Sequence, residues 1–342
     1  MQLSKKHTIS YLPNAANSSL RQIVYQGALS SPRLRLHYGF DGWQGPIHNV
    51  KLQQITSGLA MTEPLELGGH LSLDCVVTNG QCWDNNHGAD YRLWIDFAPL
   101  DAHLHVSGEG SGELGLRSLE TAMASVGISQ GIVSWIDNAA LDRIQWRTAG
   151  LSPLVWVRPG ETSVDEVRTR LAAGFVGLKL HPVVDEYRAD DLLLNPYLEV
   201  ATEYGCPVAC HSAPGKADPD HIRRLAERFP MIPVILYHTY LGPQEGRRRA
   251  AEHAREQSNL YLETSWCRWQ EITELIESVG AERVLFGSDA AVDGAHHYCR
   301  HPPNVKGQET YKEGLVALMQ ALGSQATRQV MGDNAKRLFH LN

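Results

Sequence analysis

From residue 99 onward the chain alternates short, β-rich apolar runs with longer amphipathic stretches, and this alternation limits the fold more than any other feature. Eight apolar runs follow one another: DAHLHV from Asp101, QGIVSWI from Gln130, PLVWVRP from Pro153, FVGLKLHP from Phe175, CPVACHSA from Cys206, PVILYHTYLG from Pro233, LYLETSW from Leu260 and RVLFGSDA from Arg283. Between them lie RSLETAMASVG, SVDEVRTRLAAG with a Ser163/Glu166 capping box, PDHIRRLAERFP and QEITELIESVGAE, and the series closes with YKEGLVALMQALG and DNAKRLFHL. Parallel neighbours need a crossover connection, usually a helix. Strand then helix, eight times over, predicts an α/β fold: a (β/α)8 TIM barrel across residues 99–342.

Residues 1–98 have a different texture. LRLHYGF at 34–40, LSLDCVV at 71–77 and YRLWIDF at 91–97 alternate apolar and polar residues, with Gly, Asn and Pro between them. Period-two runs broken by turn residues predict an antiparallel β-sandwich in front of the barrel. A length of 342 residues suits two such domains, and 43% hydrophobic against 20% charged residues allows a large core.

Charge and cysteine content exclude several partners. A net charge of -7, with no basic run longer than Arg247–Arg249, gives no electrostatic footprint for nucleic acid. The N-terminal lysines precede no apolar segment and no stretch reaches the length of a membrane span, so the expectation is a cytoplasmic protein without a membrane partner. Six cysteines without a CxxC pair read as free thiols rather than a disulfide framework or a cysteine zinc site.

A (β/α)8 barrel builds its active site at the C-terminal ends of its strands. Those ends are polar here: Asp101, His103 and His105 on the first, Lys179 and His181 on the fourth, His211 on the fifth, His238 on the sixth and Asp289 on the eighth. Residues i and i+2 of a strand share a face, so His103 and His105 can grip one cation together. Neutral imidazoles with a carboxylate suit Zn2+ or a similar ion. Such an ion brings the pKa of a bound water to around 7, which opens hydrolysis of an amide, ester or lactone.

DAHLH, KLHP, CHS, YHTYLG and GSDA, in this order on a barrel, resemble the amidohydrolase superfamily, particularly its amidohydrolase-related branch, over residues 99–342. The resemblance implies that His103, His105, His211 and Asp289 bind a divalent metal, most readily zinc. Asp289 would also be the general base, and His238 would bind a second metal or polarise the substrate carbonyl. Lys179 sits in LKLHP, similar to the KLYP of dihydroorotase-like enzymes, where a carboxylated lysine bridges two metals. In single-metal members that lysine stays unmodified and His181 faces the substrate instead. One ion is the expectation here, two the alternative.

Asp101 shares the nominal strand parity of His103 and reads either as a ligand or as support behind one. Arg158 and Glu263 read as substrate contacts or internal ion pairs. AVDGAHHYCRHPP after the eighth strand holds Asp293, His296, His297 and His301, in a loop where substrate choice is normally made. In the front domain, LRLHYGFDGW and QCWDNNHGADYRLWI resemble a starch-binding carbohydrate-binding module. That likeness implies a glycan platform of Trp43, Trp83 and Tyr91 with Asp84, Asn85 and Asn86 beside it. The other readings are a tight hairpin turn with core tryptophans, and a structural or homo-oligomer-forming role.

The leading expectation is a metal-dependent hydrolase of a small polar molecule. The alternatives are a metal-dependent non-oxidative decarboxylase and a glycan-binding protein with an inactive barrel.

Overall fold

The computed structural model describes residues 8–13, 19–88, 90–106, 113–124, 126–143, 146, 149–290 and 311–341. The chain divides into two compact units, Met1–Ala98 with Ala124–Gly127, and Pro99–Met123 with Ile128–Asn342. Among the described residues no helix is long and apolar enough to cross a membrane. Cys75, Cys82, Cys206, Cys210 and Cys267 are free thiols, and Cys299 lies outside the described residues.

The front unit carries two antiparallel sheets. One runs in the order Thr8–Pro13, Leu20–Gln26, Leu59–Met61, Gln53–Thr56, with Leu65–Glu66 also paired to Leu20–Gln26. The other runs Tyr91–Trp94, Ser72–Thr78, Arg35–Phe40, Gln44–Lys51, with Trp83–Asp84 paired to Ser72–Thr78. Their alternating apolar residues meet in one core: Ile23 and Tyr25 from the first sheet, Leu36, Tyr38, Leu73, Cys75, Val77 and Tyr91 from the second. Alternation along each strand therefore yields a sandwich, as the period-two pattern predicts.

In the second unit eight parallel strands stand in chain order: Leu100–His105, Gln130–Ser134, Leu151–Trp156, Gly177–Leu180, Val208–His211, Val234–Tyr237, Leu260–Glu263 and Val284–Leu285. The first and last close on each other through a parallel bridge between Leu104 and Ala290, with Asp289 N donating to His103 O at 2.9 Å. Helices such as Val164–Ala172 and Trp269–Val279 connect them. Ser163 caps the former by accepting from Glu166 N at 3.0 Å, while the Glu166 carboxylate takes Arg170 Nε at 2.9 Å. Leu100, Ala102, Ile132, Leu154, Ala209, Ile235, Tyr237 and Leu285 form one buried cluster with Ala335, Leu338 and Phe339 of the last helix and the residue after it.

The first strand does not keep a single parity. Leu100 and Asp101 pair with Gln130 and Gly131, and Leu104 and His105 with Val133 and Ser134, so Ala102 and His103 together face one residue of the neighbour. That is a β-bulge, which re-aims the side chains beyond it. Ala102 lies in the apolar cluster, and immediately after it His103 and His105 join the polar groups at the strand ends. Asp101 is cut off from that set. Its carboxylate accepts from His103 N and Ser288 N, each at 3.0 Å, and from Ser288 Oγ at 2.5 Å, tying the first strand to the segment after the eighth.

Candidate functional site

At the C-terminal ends of the strands, His103 Nε2 and His105 Nε2 lie 3.1 Å apart. Asp289 Oδ1 stands 3.3 Å from the first and 3.0 Å from the second. All three side chains are buried. Positive φ of 61° turns Asp289 inward at the end of GSDA, and Trp266 Nε1 donates to its other oxygen, Oδ2, at 2.6 Å. Gly287, two residues earlier, has to be a glycine: a Cβ there would come within 2.3 Å of Glu263 Oε1 and 2.8 Å of His103 Cβ.

The outer nitrogens of both rings are held. His105 Nδ1 lies 3.0 Å from Ser134 O, a carbonyl that can only accept, so this nitrogen carries the hydrogen. His103 Nδ1 lies 3.1 Å from Glu263 Oε2. Burial, followed by the nearby Lys179 charge, keeps His103 well below its ordinary pKa and hence neutral. For Asp289, burial acts to raise the pKa, but the indole N–H that Trp266 donates to Oδ2 is among the contacts that hold it below the usual carboxylate range.

A divalent cation fits this set. Neutral rings with their hydrogens outward present Nε2 lone pairs to each other and to an ionised oxygen, an arrangement that repels unless positive charge lies among them. Ligand atoms about 2.0–2.2 Å from an ion stand roughly 3–3.5 Å from one another, the spacing found here. Two groups of potential ligands lie in mutual reach among the described residues: His103, His105 and Asp289, and His103, His238 and Glu263.

The remaining expected residues divide between this site and other settings. His211 belongs to neither group of ligands. Its Nδ1 faces His238 Nε2 at 3.1 Å, and its ring stacks on His181 at 4.0 Å, which stacks in turn on Trp156 at 5.5 Å. Burial pushes His181 and His211 down to about 2 and His238 down to about 3. Lys179 is fully enclosed, its Nζ 3.4 Å from His103 Nε2 and 4.0 Å from the centre of the Tyr237 ring, and burial brings it down to about 8. Arg158 pairs with Glu161 and Asp185, 2.5 and 3.4 Å away. Asp293, with His296, His297 and His301, lies outside the described residues.

The sequence reads Glu263 as a substrate contact or an internal ion pair; together with Ser265 and Trp266, which the sequence did not single out, it supports the candidate ligands. Glu263 is completely buried, and four donors meet its carboxylate in the geometry of the ionised form: His103 Nδ1, His238 N at 2.8 Å, Ser265 Oγ at 2.8 Å and Ser265 N. Burial, with the Asp289 charge adding to it, acts to raise this carboxyl's pKa, and the donors from His238 and Ser265 pull against that rise. Ser265 and Trp266 also belong to the site, and ETSW held a signal for the first of them, since residues 263 and 265 share a strand face.

In the front unit, His37 lies between two tryptophans, 5.9 Å from Trp43 and 5.6 Å from Trp83, and Trp83 is 57% exposed. Tyr91 does not join them. It is buried in the sandwich core with its hydroxyl donating to Asp84 Oδ1 at 2.8 Å, while Tyr25 takes Oδ2 at 2.7 Å. Its expected place in a stacking platform is therefore corrected: a ring in the core offers no face to a sugar.

Residues 100–341 match the sequence profile of a family described as Amidohydrolase. Dihydroorotases of Pseudomonas paraeruginosa and Pseudomonas aeruginosa are 32% identical over 98 residues, covering 24% of this chain and 28% of theirs. The match thus spans little more than a quarter of those relatives. Among solved structures, a probable 2-pyrone-4,6-dicarboxylic acid hydrolase from Acinetobacter baumannii superposes with a TM-score of 0.55 at 14% identity, over 72% of this chain and all of that one. A 5-carboxyvanillate decarboxylase from Sphingomonas paucimobilis gives 0.51 at 15% identity, over 72% and 100% of the two chains. At such identities the likeness concerns the fold.

Proposed function

The chain belongs to the amidohydrolase family, and on that premise we propose that it is a divalent-metal hydrolase that cleaves an amide, ester or lactone bond in a small polar molecule. The observation that carries this reading is the convergence of His103 Nε2, His105 Nε2 and Asp289 Oδ1 within 3.3 Å. His103, His105 and Asp289 would hold one ion, most readily zinc, with His211 as the further ligand. When bound, such an ion lowers the pKa of water toward neutrality and polarises a carbonyl.

The protein's own groups account for the proton. Asp289 stays ionised, so it can accept a proton from the attacking water and return it to the leaving group. The indole of Trp266 fixes Oδ2 and leaves Oδ1 facing the imidazoles. Lys179, enclosed beside His103, is placed to steady charge on the substrate oxygen. His181, stacked between Trp156 and His211, offers a ring edge to the substrate.

A non-oxidative decarboxylase is the second reading, supported by the fold shared with the 5-carboxyvanillate decarboxylase. Turnover in labelled water separates the two. Hydrolysis places ¹⁸O in the product acid, whereas release of CO₂ without ¹⁸O uptake rejects it. For the front unit, we infer glycan stacking on Trp43 and Trp83 from the exposure of Trp83.

A further inference from the structure

Glu263, Ser265, His238 and His211 form a continuous line of contacts behind the candidate ligands. Ser265 Oγ lies 2.8 Å from Glu263 Oε2 and 2.7 Å from His238 Nδ1, and His238 Nε2 lies 3.1 Å from His211 Nδ1. The hydrogens along this line can be assigned by counting donors. A hydroxyl has one hydrogen, and an ionised carboxylate only accepts. Ser265 therefore donates to Glu263 and must accept from His238 Nδ1. His238 Nε2 is then left with its lone pair and accepts from His211 Nδ1. On the other side, Glu263 Oε2 takes the hydrogen of His103 Nδ1 directly at 3.1 Å.

We propose that Glu263, partly through Ser265, is the positioning residue that fixes the ring hydrogens of His103, His238 and His211 on Nδ1, leaving Nε2 of His103 and His211 as lone-pair donors. One carboxylate on the seventh strand thereby sets the tautomer of rings on the first, fifth and sixth. Glu263 also accepts the backbone N–H of His238, whose φ of 69° turns its side chain toward Ser265. In this arrangement His238 is a hydrogen-bond acceptor at Nε2 that orients His211, and no N–H remains on it to polarise a carbonyl. The inference deepens the proposed function and rests on it for its consequence, while the tautomers are read without metal.

The test is the ¹⁵N spectrum of histidine-labelled, metal-free full-length protein, alongside zinc affinity measured against a chromophoric chelator. Wild type should show pyrrole-type Nδ1 and pyridine-type Nε2 for His103, His211 and His238. Ser265→Ala should release that preference in His238 and His211 but keep it in His103, whose bond to Glu263 is direct, and should weaken zinc binding by about 10- to 100-fold. Ser265→Thr, which keeps the hydroxyl, should restore both. His105, held separately by Ser134 O, reports that the variants are folded. An Nε2–H tautomer at His238 in wild type would overturn the proposal, as would a Ser265→Ala spectrum unchanged at His238 and His211. Tautomers as expected in a chain that takes up no zinc would leave this inference standing and refute the hydrolase reading.

Discussion

Nε2 of His103 faces Nε2 of His105 across 3.1 Å, with the outer nitrogen of each ring turned to an oxygen acceptor. Two lone pairs aimed at each other and at the Asp289 carboxylate form an unfavourable arrangement that a cation relieves. The site's other properties follow from this pair.

Replacing His103 with alanine removes the ring shared by both ligand groups. The variant should lose metal and turnover together. Elemental analysis that still finds stoichiometric metal in His103→Ala would overturn the ligand assignment.

Wild type should carry one ion per chain, and reconstitution should not depend on bicarbonate. Lys179 Nζ already lies against His103 Nε2 and the face of Tyr237, contacts that suit a free amine. A second equivalent of metal, or activity that requires bicarbonate, would instead point to a carboxylated bridge.

Acid should unfold the metal-free chain early. His103, His181, His211 and His238 are held neutral by burial, His238 down to about 3 from 6.5. Below pH 6.5 the unfolded chain binds protons that the fold refuses, so stability falls with pH, by the order of 1 kcal/mol per unit for each ring that stays neutral. Urea midpoints measured between pH 7 and pH 4, roughly the window these shifts define, should decline toward acid; a flat or rising series would contradict the assignment.

Gly287→Ala places a methyl group against Glu263 Oε1 and His103 Cβ. Overpacking at such a point costs about 1–3 kcal/mol. Denaturant unfolding should show that loss, and chelator competition should show weaker zinc binding. Wild-type affinity in this variant would mean that the contact does not position His103.

In the front unit, Trp83→Ala should abolish binding of maltooligosaccharides without lowering stability, since the ring is more than half exposed. Tyr91→Ala should destabilise the sandwich by about 3–5 kcal/mol, the usual range for emptying an aromatic core site. Calorimetric titration of the Trp83 variant with unchanged sugar affinity would remove the glycan reading.

Local pattern alone determined the two-part architecture, the order of the eight strands and the polar strand ends, because strand alternation and helix capping are written in neighbouring residues. Which of those ends meet was settled by contacts between residues far apart in the chain. His103 and Glu263 lie 160 positions apart, and no short-range period links them. Tertiary structure also decided the parity of the first strand: its bulge places His103 at the site and leaves Asp101 bound to Ser288, where simple alternation would put them on one face. Positive φ at His238 and Asp289 had the same effect, turning side chains inward where a regular strand would not. Backbone exceptions of this kind persist only where surrounding packing holds them, and that packing exists only once the barrel has closed.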